Sequence, residues 1–164
     1  MIATISRERL LLGPVETVFD PDIRTLCRRP YPDHPYGCPN YGKRSDCPPH
    51  APFFPRAYDT SSPNYLAVVK FDFAKYLEER RAIHPDWTER AIRNPRHYQG
   101  HLRADLSRFV GQIMPQMDCG YEPIFNPEAM GVDIASMFPR VGLQWEFPPQ
   151  ANNYRVCLIA KKKS

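Results

Sequence analysis

No apolar run in the 164 residues approaches membrane-spanning length, and the opening stretch MIATISRERLLLGPVE lacks the basic segment and long apolar core of a secretory signal. A cytoplasmic protein with no membrane partner is the expectation. No internal repeat and no flexible linker interrupts the chain, and its length suits a single domain, residues 1–164, able to bury its own core. Strong charge of one sign is also missing. The net value is +4, and Lys161, Lys162 and Lys163 read as a solvated tail, so charge alone says little for a nucleic-acid partner. Glycine is scarce: eight glycines stand against nineteen prolines. Proline fixes φ and removes an N–H donor, and the prolines crowd the stretch from Pro30 to Pro63, which should therefore be a stiff, irregular loop. With 42% hydrophobic and 24% charged residues, disorder does not describe the whole chain.

The remaining segments read as ordinary elements. Residues 8–19 (ERLLLGPVETVF) are apolar enough for a strand or two, interrupted at Gly13-Pro14. Asp20-Pro21 has the form of a helix cap followed by proline at the first helical position, opening a short helix DIRTL that delivers Cys27. YLAVVKFDF (65–73) is rich in β-branched and aromatic residues and predicts a buried strand. AKYLEERRAI (74–83) predicts a helix that stops at His84-Pro85, because the residue before proline is pushed out of the helical region. WTERAIRN predicts a second helical piece, and residues 97–114 place Leu102, Leu106, Phe109, Val110 and Ile113 on one side of a third. Asn126-Pro127-Glu128 repeats the cap-plus-proline pattern ahead of EAMGVDIASMF, and NYRVCLIAK (153–161) closes the chain as a buried strand. Alternating strands and helices imply an α/β or α+β architecture with a small sheet.

Chemistry concentrates in the proline-rich loop, residues 27–52. Five cysteines in a reducing compartment point to metal or catalysis before disulfides. Cys27, Cys38 and Cys47 stand with ten and then eight residues between them. The spacing is neither CxxC nor that of a zinc finger. Thiolates nevertheless favour zinc or iron–sulfur centres, and Cys38 and Cys47 are each followed by proline, as at the end of bacterial ferredoxin cysteine runs. Gly37 and Gly42 supply the freedom a loop needs to wrap a metal. The plainer alternative, three separately buried packing thiols, suits a hydrophilic loop poorly. His34, Asp46 and His50 are further donors nearby, and His50, three residues after Cys47, is the leading fourth protein ligand.

Arg28, Arg29, Lys43 and Arg44 flank the cysteines, where fixed cations would depress thiolate pKa values and offset cluster charge; the alternative is that they only keep the loop soluble. Cys157, inside an apolar strand, reads as a core thiol that is not a ligand, and Cys119 is ambiguous. Met114, Met117, Met130 and Met137 read as core filler. Arg90, Arg93, Arg96, His97, Tyr98, His101 and Arg103 could touch phosphates, but a solvated helix face explains them as well, since no stacking motif accompanies them.

Two blocks, GCPNYGKRSDCPPHAP (37–52) and PEAMGVDIASMFPRVGLQWEFPP (127–149) followed by YRVCLIA, resemble a family of uncharacterised prokaryotic proteins described as predicted metal-binding proteins. The resemblance covers roughly half of the chain. It implies that Cys38 and Cys47 are metal ligands, that Cys27 occupies the place of an upstream ligand, and that Glu128 helps to form a site. Glutamate at a helix start also has a sufficient structural reason to be there. Longer relatives carry an added ferredoxin-like CxxCxxC segment, where this sequence has only Cys119. A second cluster is therefore not expected.

Three functional readings follow. In the first, Cys27, Cys38 and Cys47 hold a [4Fe–4S] cluster with one iron open to a small-molecule or anionic substrate, suited to Lewis-acid or sulfur-transfer chemistry. Glu128, Lys43 and Arg44 would then be the catalytic candidates, with the site opening at a helix N-terminus near Glu128. In the second, Zn2+ on the three cysteines and His50 stiffens a module that binds nucleic acid or protein. In the third, the thiols carry no metal. Either metal requires the three sulfurs to converge within about 4–7 Å of one another.

Overall fold

Two runs of β-branched and aromatic residues form the middle of the sheet. In the computed structural model, which describes residues 6–31 and 34–164, strand β2 (Asn64–Asp72) buries Leu66, Ala67, Val68, Val69 and Phe71 completely. The last strand, β4 (Asn152–Lys161), does the same with Cys157, Leu158, Ile159 and Ala160. Strands β1 (Arg7–Val15) and β3 (Tyr121–Ile124) complete an antiparallel sheet in the order β1-β2-β4-β3. Both outer strands carry a proline, Pro14 and Pro123, which belongs on an edge because it cannot donate to a neighbour. In β3, Tyr121 pairs with Lys161 and Ile124 with Leu158. The architecture is α+β, as the alternation of elements implies.

Strand β1 runs straight through Gly13-Pro14, where the sequence suggested a break. The φ of Gly13 is 129°, and a Cβ there would meet the Asn64 carbonyl at 2.9 Å. Glycine is the residue that lets the chain continue past that carbonyl.

By their contacts the described residues form two compact units. One comprises the chain up to Leu11, Ala67–Gln116 and Glu146–Val156; the other comprises Leu12–Leu66, Met117–Trp145 and Cys157–Ser164.

The first unit holds three helices, α2 (Phe73–Ile83), α3 (Glu89–Ile92) and α4 (Gln99–Ile113), which follow the four-residue α1 (Phe54–Ala57) along the chain. Asp72 caps α2 by accepting from the Lys75 N–H, and His84 ends it before Pro85. Phe73, Tyr76 and Tyr98 gather as rings, with Tyr98 edge-on to Phe73 at 5.4 Å and to Tyr76 at 5.2 Å. Tyr98 is therefore a core residue, and Arg93 bonds the Pro149 carbonyl and pairs with Glu89. Two members of the proposed phosphate-contacting set are thereby withdrawn from it.

Helix α4 buries Leu102, Leu106, Val110 and Ile113, as its periodicity predicts. On the same face lies Asp105, 2% exposed. Arg7 approaches its Oδ2 at 2.8 Å, out of line for a hydrogen bond, so this contact is an ion pair. Arg9 and Arg108 stand 3.6 and 3.2 Å from Oδ1. Charge drawn from β1 satisfies a carboxylate that the helix would otherwise bury at a cost of several kcal/mol.

In the second unit, a 3-10 helix (Pro21–Arg28), α1 (Phe54–Ala57) and α5 (Ile134–Met137) surround Phe54, Tyr58, Val132, Met137 and Phe138, all buried. Met130 and Met137 fill this core, as expected. The continuous helix expected from Glu128 is absent. A 3-10 turn (Pro127–Met130) stops at Gly131, and α5 starts afresh with Asp133 accepting from the Ser136 N–H. Gly131 sits at φ 86°, where a Cβ would lie 2.9 Å from the Asp20 carbonyl and 2.8 Å from the Phe53 ring. Crowding by residues distant in sequence breaks the helix, and glycine accommodates it.

The lysines at the end of the chain are not a loose tail. Lys162 N–H donates to the Gly120 carbonyl, Lys163 N–H to Ala57 and Lys163 Nζ to Pro55. Among the described residues no helix is long and apolar enough to cross a membrane.

The Asp105 arrangement predicts unequal costs. Asp105→Ala leaves arginine charge without its partner and should lower the unfolding free energy by about 3 kcal/mol, whereas Arg108→Ala, 72% exposed, should cost about 0.5 kcal/mol in the same urea titration.

Candidate metal centre

The centre is assembled from three pieces of chain. The first is the 3-10 helix carrying Cys27. Asp20 caps it by accepting from the Asp22 N–H at 2.8 Å, with Pro21 at its first position, as the sequence indicates. The Asp20 N–H also donates to the Gly131 carbonyl at 2.8 Å, which fixes the start of the helix beside the segment bearing Glu128.

The second piece is the proline-rich loop. Cys38 N–H donates to the Cys27 carbonyl at 2.7 Å, placing these two cysteines side by side across ten intervening residues. Gly37 makes that approach possible. Its φ is 85°, and a Cβ would fall 2.5 Å from the Cys27 carbonyl oxygen and 2.7 Å from the Arg28 carbonyl carbon, well inside contact. Beyond Cys38 the chain folds through tight turns: Tyr41 N–H to Cys38, Cys47 N–H to Arg44, and Ala51 N–H to Cys47. Gly42 N–H reaches the Pro48 carbonyl at 2.8 Å and closes the loop that holds Cys47. Proline supplies no backbone donor, so these bonds come from the residues between the prolines.

The third piece is the turn Pro127–Met130. Arg24, from the helix that carries Cys27, binds all three together. Its Nε donates to the Ala129 carbonyl at 3.2 Å, and its Nη2 to the carbonyls of Pro49 (3.1 Å) and Ala51 (2.5 Å). Asp46 makes a second link. It receives both arms of the Arg44 guanidinium, at 2.9 and 3.0 Å, and the Asn126 side-chain amide at 3.1 Å. Asn126 thus does not cap the following turn with its side chain, contrary to the pattern read from the sequence, because the loop carboxylate engages its amide.

Cys27, Cys38 and Cys47 are all half-buried and free of disulfides. Burial pushes the Cys27 thiol up, and Cys38, Cys47 and Glu128 push it in the same direction. The three thiols and the carboxylate therefore share one electrostatic neighbourhood. Tyr31 lies at its margin, with its phenol raised by burial and then by Cys38 and Cys27. Among the described residues, however, no three His, Cys, Asp or Glu side chains stand close enough to hold a single metal ion.

The flanking cations do less than the sequence suggested. Burial and then Asp46 raise Cys47, and only Arg44 opposes them. Arg44 is committed to Asp46, and the Arg28 guanidinium lies over the Tyr41 ring at 5.7 Å. Arg29 and Lys43 are exposed. His50 places Nε2 3.0 Å from the Gly42 carbonyl; since a carbonyl only accepts, that nitrogen carries the proton and Nδ1 is the one left for a ligand. The His34 ring lies 4.6 Å from the Tyr31 ring, tilted by 38°. Cys119 is exposed, and burial raises the Cys157 thiol to about 12, consistent with a core position.

Glu128 is half-buried and close enough to Cys27 to raise its pKa. It enters the site from a four-residue 3-10 turn, so no long-helix dipole accompanies it. Sequence reasoning missed Arg24, because an arginine within a short polar helix has no distinguishing pattern. Compared with protein families, curated proteins and solved structures, the chain matches none of them.

The junction made by Arg24 predicts a specific loss. Arg24→Lys keeps the charge but cannot span three carbonyls, and should cost about 1–3 kcal/mol in chemical denaturation. In native protein it should also speed the modification of Cys27 by a thiol reagent, as its helix loosens from the loop.

Proposed function

We propose that Cys27, Cys38 and Cys47 hold a [4Fe–4S] cluster, making this an iron–sulfur protein with one iron open to substrate. The observation that carries this reading is the gathering of three half-buried thiols free of disulfides: Cys38 N–H donates to the Cys27 carbonyl at 2.7 Å, and Cys38 and Cys47 both raise the pKa of Cys27. Three thiolates with a fourth position left open suit a cubane with one substrate-accessible iron better than a closed zinc site, which takes four protein ligands. The donor set fits the group: three soft thiolates, half-buried, on a loop closed by its own backbone bonds.

When bound, such a cluster supplies a Lewis-acidic iron suited to sulfur-transfer, lyase or hydrolase chemistry. Glu128, whose charge reaches Cys27, is placed to accept or release a proton beside the thiols. Asp46 holds Arg44 in a bidentate pair beside Cys47, and Lys43, next in sequence and exposed, adds charge for an anionic substrate group. Five free thiols accord with a reducing cytoplasmic setting.

The competing reading is zinc on the three cysteines and Nδ1 of His50, in a module for nucleic acid or protein. Anaerobically purified protein distinguishes the two. The cluster reading expects brown protein with about four irons per chain and absorbance near 400 nm that bleaches on reduction. Serine at Cys27, Cys38 or Cys47 should each abolish the colour, while Cys157→Ala keeps it and costs about 1 kcal/mol of packing. Colourless protein with one zinc per chain, lost in His50→Ala, would overturn the cluster.

A further inference from the structure

A cavity of about 420 Å3 opens in the second unit, within the size range of small-molecule sites. Ala51, Ile124, Phe125 and Met130 line it with apolar surface, and Glu122 and Lys162 bring one charge of each sign. Phe125, 44% exposed, offers ring surface to the cavity. Asp46, immediately before Cys47, also lines the cavity. Its oxygens are already engaged by Arg44 and Asn126.

The charged pair has one member held by a second contact and one exposed member. Glu122 Oε2 accepts from the buried Tyr58 hydroxyl at 3.0 Å, and burial and Glu122 itself raise that phenol to about 12, so it remains a donor at neutral pH. Glu122 Oε1 faces Lys162 Nζ at 3.5 Å, with the side chains 43% and 60% exposed. An exposed pair of this kind is worth little and opens readily. The Lys162 backbone stays in place meanwhile, anchored to Gly120 and bridged to Tyr58.

This arrangement selects by charge. A phosphate or other polyanion would meet one ammonium and two carboxylates. A simple cation would meet Lys162 beside Glu122. A molecule with adjacent ammonium and carboxylate groups and an apolar body satisfies every wall. We propose that the cavity binds an α-amino acid with a large apolar side chain, its ammonium on Glu122, its carboxylate on Lys162 and its side chain against Ile124, Phe125 and Met130. The proposal rests on reading the adjacent cysteine loop as a reactive metal centre, to which it adds the class of substrate.

Calorimetric titration of the full chain with L-phenylalanine and with L-methionine, alongside iron analysis of the same preparation, tests it. At least one should bind with a stoichiometry near one. Phenylalanine amide and N-acetylphenylalanine, or the corresponding methionine derivatives, each lacking one charge, should bind about tenfold or more weaker. Lys162→Met, on an exposed side chain, should lose about tenfold in affinity with its thermal unfolding unchanged, and Glu122→Gln should do the same. Absence of binding by both amino acids up to about 10 mM would overturn the proposal, as would equal affinity for the neutralised derivatives. If the chain holds iron and binds neither, the cluster reading stands without this substrate; if it binds but takes up no iron, the amino-acid site stands and the cluster reading falls.

Discussion

The cysteine site depends on one guanidinium. Arg24 reaches the carbonyls of Pro49, Ala51 and Ala129, which lie 25, 27 and 105 residues away in sequence. Each of these carbonyls belongs to a segment poor in regular structure, where backbone acceptors lack a helix or sheet partner. A rigid, planar donor fork can serve several such acceptors at once without changing its own shape, which an ammonium cannot do as well. Without this contact the Cys27 helix, the end of the cysteine loop and the turn that carries Glu128 would be joined by a few backbone bonds and by the Asn126 amide on Asp46.

Around that junction, proline and glycine divide the work. Prolines stiffen the loop and reduce the conformational freedom lost when thiols are held in place. They also remove donors, and the N–H groups of Cys38, Tyr41, Gly42, Cys47 and Ala51 close the loop on carbonyls nearby. Glycine is used where chain must pass chain. Gly37 passes the Cys27 carbonyl and Gly131 passes Asp20 and Phe53, and a methyl group at either position would overlap backbone. These two contacts bring Cys38 to Cys27 and turn the Glu128 segment toward both.

The electrostatics of the site follow from the same geometry. Gathering thiols and a carboxylate in a half-buried place raises the cost of ionising Cys27 and Cys47, whose pKa values are both shifted up, chiefly by burial. The nearby cations relieve little of this, since Arg44 is bound to Asp46 and Arg28 lies on Tyr41. Raised thiols stay protonated and neutral at neutral pH, so the site carries little charge of its own.

Much of the architecture was legible in the sequence because it rests on local rules. The strands β2 and β4, the α2 stop at Pro85, the buried face of α4 and the Asp20-Pro21 start of the Cys27 helix all come from side-chain periodicity or from capping chemistry within a few residues. The concentration of Cys27, Cys38 and Cys47 within residues 27–52 was legible directly, although Cys27 sits on the 3-10 helix and only the other two in the proline-rich loop. Contacts between distant residues were not. Asp105 sits on an otherwise apolar helix face because Arg7 and Arg9 arrive from a strand about a hundred residues earlier, and no helical period announces that. Gly131 ends a helix that its own sequence favours, because Asp20 and Phe53 occupy the space a side chain would need. Sequence by itself determined where cysteine, proline and glycine concentrate in the chain; tertiary structure decided that Glu128 lies near enough to Cys27 to raise its pKa, that Arg24 ties three segments together and that a cavity lies beside them, since each depends on steric and hydrogen-bond partners that only folding brings within reach.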